Sequence, residues 1–416
     1  LTTGVSKEDL QQEEITYTRA KDKSDKALDE YKFYVNSLYV GITRAIKNLY
    51  VVESNKKHAL LELLELTDFK QQSSIKNQVS SKEEWQQEAR KLDLQGKKEQ
   101  AEAIRQQILQ VQKVPWEVLN RKDWLLLVEQ ALDPNLFNKK QKDKLFEYSL
   151  FYNDERFLDD LAVLKYRPAD RVDEERKTFI KRTLQNYTQD NLKLLEPSLK
   201  KYGLDFRNQL NLTPFMLCAY TGASKIAAHL IQQGAQLNAK DIFGRTALHF
   251  AFNSEKTTAR TAWINQYYAV LKQESIKVKI KDKLIKIDNH QAEYLLLNYM
   301  FACMNKRFLE FTGKDVLFRT ADFMNFYEGL SMQVVPAYRR NRSYISSILS
   351  KNEINRSDKY NKTLFFRVEQ GGYIPHPLME IEIDGTWVNV YDTFFLFEFL
   401  PSERLSFFGF SKRHRI

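Results

Sequence analysis

The chain has 416 residues, 43% hydrophobic and 28% charged, and this length predicts about two to four domains with ordinary packed cores. No stretch reaches the roughly 18 apolar residues of a membrane-spanning helix, and the N-terminal segment lacks the apolar core of a signal peptide. Two cysteines are too few for a disulfide framework or a zinc site, so we expect a cytoplasmic location, and the net charge of +10 permits a polyanionic partner.

Residues 31–53 change their hydrophobic periodicity partway along the segment. Apolar side chains from Tyr31 to Ala45 recur on one helical face, whereas residues 49–52 (Leu-Tyr-Val-Val) indicate a buried strand. Thr43 and Arg44 lie near the end of the predicted helix. A guanidinium held there can reach a phosphate group in a neighbouring lobe.

The sequence LYVGITRAIKNLYVV in this segment closely resembles motif VI of UvrD/Rep-type superfamily 1 DNA helicases. The resemblance implies that residues 1–65 end the second RecA-like α/β lobe of an ATP-dependent, 3′–5′ DNA helicase that uses ATP and Mg²⁺. It also implies that Arg44 is the catalytic arginine finger, and that Thr43 and Arg44 contact bound ATP. Arginine fingers accelerate phosphoryl transfer roughly 10³–10⁵-fold, because they stabilise charge on the equatorial oxygens.

The rest of a helicase motor is missing from this sequence. A P-loop needs Gly-Lys followed by Ser or Thr, and neither Gly96-Lys97 nor Gly313-Lys314 is followed by either residue. We therefore expect a C-terminal portion of a longer protein, which starts here at Leu1 and alone holds no ATP or Mg²⁺ and hydrolyses none. The alternative is a non-enzymatic ankyrin-repeat interaction scaffold that keeps a helicase remnant, so whether the whole protein is an enzyme stays open.

Helical patterns follow a Gln/Ser/Lys-rich linker at residues 66–80. Residues 81–115 predict a helical hairpin, and residues 116–200 predict amphipathic helices of no evident function. The hairpin resembles one tetratricopeptide unit, although an ordinary hairpin is the alternative; its aromatic, small, large, turn and small positions are Trp85, Ala89, Leu92, Gly96 and Ala101.

Residues 201–270 contain an internal repeat. Thr213 aligns with Thr246 at an offset of 33 residues, which is the ankyrin period, and residues 211–252 resemble ankyrin repeats. We expect His249 to be a hydrogen-bonded structural histidine. The repeats have two possible roles, a concave face that binds a protein partner or a rigid spacer, and the sequence favours neither.

Residues 271–416 predict a helix, a second helix, a basic helix and then a strand pair turned at Gly371-Gly372, the outline of a winged helix. Residues 336–367 hold eight Lys or Arg against two acids, which favours contact with DNA over the alternative of a solvated basic face. The expected nucleic-acid-binding residues are Arg339, Arg340, Arg342, Tyr344, Lys351 and Arg367, with additional contacts from Ser346, Asn352 and Tyr373.

The expected fold class is therefore mainly α with a smaller α+β part. Its segments are the tail of a RecA-like lobe, helical hairpins, ankyrin repeats and a winged-helix-like C-terminal domain. The expected partners are DNA and a protein that binds the ankyrin repeats.

Overall fold

The structure is a computed structural model that describes Tyr39 and residues 82–105, 111–253, 258–310, 316–357 and 359–396. Residues 80–416 form one compact unit. The predicted linker, Thr43 and Arg44 lie outside the described residues.

The described part of this unit is mostly helical, as the sequence predicts. Its helices are, in chain order, α1 (Lys82–Leu94), α2 (Lys98–Ala103), α3 (Arg121–Leu132), α4 (Lys139–Tyr152), α5 (Glu155–Val163), α6 (Val172–Thr188), α7 (Leu192–Tyr202), α8 (Pro214–Thr221), α9 (Ser224–Gln232), α10 (Ala247–Phe252), α11 (Thr258–Leu271), α12 (Ala292–Glu310), α13 (Thr320–Tyr327) and α14 (Arg342–Lys351). None of these helices is both long enough and apolar enough to cross a bilayer.

The strands form two small antiparallel sheets. They are β1 (Ser275–Ile280), β2 (Lys283–Asp288), β3 (Phe365–Glu369), β4 (Gly372–Pro375), β5 (Met379–Ile383) and β6 (Thr386–Asn389). One sheet has the order β2-β1-β5-β6, and β3 and β4 form a separate hairpin. Strands about 100 residues apart therefore pair, with Lys279 of β1 opposite Glu380 of β5.

Local signals fix several helix ends where the sequence predicts them. Gly96, with φ of +77°, makes the turn between α1 and α2, because a side chain is disfavoured at positive φ. The Thr213 hydroxyl accepts a hydrogen bond from the Met216 amide and caps α8. Gly222, with φ of +80°, ends the same helix in the left-handed region.

A single hydrophobic core extends from Leu119 to Leu396. It crosses the sequence boundaries predicted at residues 200 and 270, so the ankyrin-like helices and the sheet share one interior. Cys218 lies fully buried in this core, as expected for a packing residue rather than a reactive thiol.

Candidate nucleic-acid interface

Three helices and a hairpin build the C-terminal part of the unit. α12 is followed by Phe318, which forms an isolated antiparallel bridge to Tyr373 in β4. Then α13, α14, β3 and β4 follow in order, and α14 packs against both α12 and α13. This part thus has the helix, helix, helix and strand-pair order that the sequence predicts.

Helix α14 presents one side to the core and the other to solvent. The side chains of Ile345 and Leu349 are buried, at the four-residue spacing of one helical face. Asn341 caps the helix, because its side-chain oxygen accepts a hydrogen bond of 2.7 Å from the Tyr344 amide. Arg342 lies at the start of the helix and Lys351 at its end.

Arg342 and Lys351 are the free cations of this helix. Both residues are exposed, and neither forms a side-chain hydrogen bond or an ion pair with any residue the structure describes. They are nine residues apart along the helix, which corresponds to a rise of about 14 Å. The two charges therefore stand at opposite ends of the helix and on opposite sides of it, because nine residues make about two and a half turns.

Arg340, by contrast, is used by the fold itself. Its guanidinium donates hydrogen bonds to the carbonyls of Leu330, Ser331 and Val335, at 2.5, 2.8 and 2.9 Å respectively. These bonds hold the loop between α13 and α14. We therefore assign Arg340 a structural role and leave it out of the candidate interface.

Arg339 bridges the interface and the larger sheet. Its guanidinium donates to the carbonyl of His290, just after β2, and lies 5.4 Å from the ring centre of Tyr338. Tyr338 is 60% exposed and meets the Tyr344 ring edge-on, with 5.7 Å between ring centres. The sequence predicts Tyr344 as an aromatic contact but not the more exposed Tyr338 beside it. The position of Tyr338 next to Arg339, Arg340 and Arg342 in the sequence could have indicated it.

Two expected contacts are wrong, because the side chains are buried. Tyr373 and Asn352 are each 3% exposed, so Tyr373 cannot stack on a base and Asn352 cannot reach one. Asn352 instead donates to the Glu293 carboxylate at 3.1 Å. Arg367 remains exposed at the surface, but it pairs with the buried Glu353 carboxylate at 3.4 Å, which lowers its availability to phosphates.

The ankyrin-like helices have a different environment. The first helix of each pair, α8 or α10, is buried along nearly its whole length. Aromatic side chains of α4 cover them, since the Phe151 ring centre lies 5.0 Å from that of Tyr220 and 6.4 Å from that of Phe250. Part of the surface of these two helices is therefore covered by the chain itself.

A buried arginine stabilises the layer of aromatic side chains over these helices. Arg245 pairs with Asp241 at 3.0 Å, and both side chains are almost completely buried. The guanidinium carbon lies 4.4 Å from the ring centres of Tyr152 and Phe250 and 5.1 Å from that of Phe394. Aromatic faces on several sides stabilise the cation by cation–π attraction in the absence of water.

The same layer also holds residues 392–395 through hydrogen bonds to their carbonyl groups. Arg121 donates to the carbonyls of Asp392 and Thr393, both at 2.7 Å, and Arg156 donates to those of Phe394 and Phe395, at 2.8 and 2.9 Å. Burial lowers the pKa of Arg121 to about 10, which still leaves it charged at neutral pH.

His249 is a structural histidine, as predicted. Its Nδ1 accepts a hydrogen bond of 3.0 Å from the Thr246 amide, which completes a capping box at the start of α10 and leaves the proton of the neutral ring on Nε2. Burial and then the neighbouring Arg245 charge lower its pKa to about 3, against a smaller opposing effect of Asn298. The ring borders a cavity of about 90 Å³ between α10, α12 and the larger sheet.

Metal chemistry finds no support in the described residues. No group of three or more His, Cys, Asp or Glu side chains there is arranged to hold an ion. The positions that the helicase resemblance connects with ATP, Thr43 and Arg44, lie outside the described residues.

Comparison with known proteins identifies one segment. A family model described as "Ankyrin repeat" matches residues 210–242, which contain α8 and α9. No curated protein and no solved structure matches the chain. The chain therefore contains an ankyrin repeat, and residues 243–271 add a second helical pair beside it.

Proposed function

We propose that residues 292–396 contact duplex DNA through α14, as an accessory part of the DNA helicase that the motif VI resemblance at residues 31–53 implies. One observation carries this proposal: α14 has an exposed cation at each end, Arg342 and Lys351, without a partner among the described residues, and the exposed Tyr338 lies against Tyr344 near its start. Protein cations that replace condensed counterions supply most of the sequence-independent affinity for DNA.

The chain order supports a winged-helix type of contact. In that fold a recognition helix is followed by a β-hairpin wing. Here α14 is followed by the β3–β4 hairpin, and the Phe318–Tyr373 bridge adds a short third strand next to it. The same fold also serves protein contacts, so the charges on α14, rather than the fold, argue for DNA.

The two cations stand at opposite ends of α14. Arg342 and Lys351 are about 14 Å apart along the helix, and nine residues make about two and a half turns, so their side chains leave opposite sides of it. Each cation can therefore meet a phosphate only at its own end of the helix. Such contacts position the helix without reading sequence, so we expect little discrimination between DNA sequences.

The test is the salt dependence of DNA binding by the 416-residue chain. In Arg342→Ala/Lys351→Ala, the slope of log K against log salt should become shallower by about 1.8, at about 0.9 for each lost phosphate contact. The matched control is Arg167→Ala/Lys193→Ala, which removes two exposed cations from the helical layer. An equal change in the control, or no salt-dependent binding by the unaltered chain, contradicts the proposal.

The catalytic part of the proposal concerns Arg44 in the longer protein that carries a P-loop. Arg44→Ala should leave ATP binding intact and lower ATP turnover at least about 100-fold, because transition-state charge loses its partner. Arg44→Lys should recover little of this, since Lys lacks the planar, bidentate donor. Lys47→Ala is the matched control. Unchanged turnover in Arg44→Ala would favour the alternative of a non-enzymatic scaffold with a helicase remnant.

A further inference from the structure

The cavity beside His249 lies where the second helical pair meets the larger sheet. It has a volume of about 90 Å³ and is bordered by α10, α12, β1 and β5. Most of its walls are apolar, and the apolar side chains that line it include Phe243, Leu248, Leu271, Val278, Met304 and Val390. The exposed residues Lys240, Lys277 and Glu382 also line it, so a small molecule has a route into the cavity from solvent.

His249 lines this cavity and carries a buried hydrogen-bond donor. The residue is 8% exposed, and its Nδ1 accepts the bond from the Thr246 amide, so the proton of the neutral ring is on Nε2. That Nε2 has no hydrogen-bond partner in the part of the chain that the structure describes. Asn298 is near enough to raise the His249 pKa, but it lies outside hydrogen-bond geometry with Nε2. A buried N–H without an acceptor costs free energy, and a ligand that accepts its bond removes this cost.

Other polar groups around the cavity already have partners within the fold. The Asn298 amide nitrogen donates to the Tyr294 carbonyl at 2.7 Å, and the Tyr294 hydroxyl accepts a bond of 2.9 Å from the Gln273 amide. The Thr393 hydroxyl donates to a main-chain carbonyl, also at 2.7 Å. A buried water makes about three hydrogen bonds to otherwise unsatisfied groups. An apolar molecule with a single acceptor therefore fits the donor of His249 and its surroundings better than water does.

Positive charge near the ring favours one kind of polar group in the ligand. Arg245 and Lys240 both line the cavity, and their charges lower the His249 pKa, after the larger effect of burial. The potential at the ring is therefore positive, which favours an electron-rich acceptor atom and opposes a cationic ligand. A carbonyl oxygen is such an acceptor, and because it carries no net charge its burial costs far less than burial of a carboxylate.

The volume of the cavity limits the size of the ligand. An apolar cavity of about 150 Å³ holds benzene, which has six non-hydrogen atoms. In proportion, a cavity of about 90 Å³ holds a molecule of about four non-hydrogen atoms. This is the size of the smallest ketones.

We propose that this cavity binds a short-chain carbonyl compound. The carbonyl oxygen accepts the hydrogen bond from His249 Nε2, and the alkyl groups fill the apolar space between α10 and α12. The capping box at the start of α10 holds the ring in place for this contact, because it fixes which nitrogen carries the proton. The binding site is independent of the DNA contact proposed for α14.

The experiment compares two probes of the same shape on the 416-residue chain labelled with ¹⁵N-histidine. Acetone carries an oxygen where 2-methylpropene carries a CH₂ group. Acetone should shift the NMR resonance of His249 Nε2–H saturably, and 2-methylpropene should bind roughly 3–10-fold more weakly, because it offers no acceptor. Equal affinity of the two probes, or acetone binding that leaves this resonance unchanged, overturns the proposal. A nuclear Overhauser contact between Nε2–H and water that persists at saturating acetone marks a water site only and also overturns it.

A pair of variants locates the binding in the cavity. Val278→Ile/Val390→Ile adds two methyl groups to the cavity wall and should weaken acetone binding at least about tenfold, because the added groups occupy the space of the ligand. The matched control, Val334→Ile/Val335→Ile, adds the same groups at buried positions that do not line the cavity and should leave the affinity unchanged. Circular dichroism melting verifies that both variants fold. Unchanged affinity in the first variant, or an equal loss in the control, overturns the assignment to this cavity.

Discussion

Arginine has opposite roles in the buried layer around Arg245 and on the α14 surface. In the buried layer, Arg245 is enclosed by Asp241 and aromatic rings, and it holds these rings in place. On α14, Arg342 is exposed and forms no side-chain hydrogen bond or ion pair with a described residue. The residue type is the same, so the number of acceptors and rings around the guanidinium decides whether it stabilises the fold or awaits a ligand.

The comparison also separates two kinds of helical surface. Helix α8 lies within the matched ankyrin repeat, a type of repeat that generally binds proteins, yet Phe151 of α4 packs against its Tyr220. α14 belongs to no recognised repeat, yet its polar face is open. The open charged face, rather than the recognised repeat, is therefore the stronger indication of an external contact.

The largest expected effect comes from breaking the buried ion pair. Arg245→Ala should lower the free energy of unfolding by about 3–5 kcal/mol, because Asp241 is left as an unpaired buried charge. Urea unfolding measures this change. Arg245→Met/Asp241→Asn removes both charges and keeps most of the volume, so it should destabilise far less; an equal loss in both variants would show that the charges are not the reason.

An intermediate effect is expected where an arginine holds main-chain carbonyls. Arg340→Ala should cost about 1–3 kcal/mol of unfolding free energy, because buried or half-buried acceptors in the preceding loop lose their donor. The same urea titration applies. A cost within the range of an ordinary surface substitution would return Arg340 to the candidate interface.

The smallest effect on stability is expected at the open surface. Arg342→Ala should change the unfolding free energy by less than about 0.5 kcal/mol, as is usual for a surface position without partners. The single variant should still weaken DNA binding. A large loss of stability would mean that Arg342 supports the fold as Arg340 does, and the contrast between the two regions would fail.

The pH dependence of the unfolding free energy should also originate in the core. His249 has a folded-state pKa of about 3, below its usual value of 6.5, so the unfolded chain binds the proton more readily between these values. Stability from this group is fully present above about pH 6.5 and falls as the pH drops toward 3. In His249→Asn, whose side-chain oxygen can still accept the Thr246 amide bond, this part of the pH dependence should disappear from unfolding curves.

Local sequence signals predicted the secondary-structure elements better than the environments of individual side chains. The offset between Thr213 and Thr246 gave the repeat, and Gly96 and Gly222 gave turns, because each depends on residues close in the chain. Arg339, Arg340 and Arg342 could not be distinguished in this way. They are neighbours in sequence, and only the carbonyls of His290 and of the loop before α14 decide which of them is free.

Contacts between segments distant in the sequence could not be predicted from the hydrophobic pattern either. The sequence analysis did not predict the β1–β2 pair, although Lys and apolar residues alternate in residues 276–287, and nothing in that alternation indicates that β5 lies alongside. Similarly, the aromatic residues of α4 gave no sign that they would cover α8 and α10. The sequence predicts the interface on α14, and five of its nine expected residues are buried or bonded to the fold: Arg339, Arg340, Asn352, Arg367 and Tyr373.

The hydrogen bonds from Arg121 to the carbonyls of residues 392 and 393 have a consequence for biosynthesis. These contacts join residues 271 and 272 positions apart. At roughly 5–20 residues per second, a ribosome needs about 15–50 s to make the intervening chain. During that time α3 to α5 emerge with their arginines and aromatic rings unsatisfied, so the nascent layer must stay soluble, by itself or on a chaperone, until the distant segment arrives to complete it.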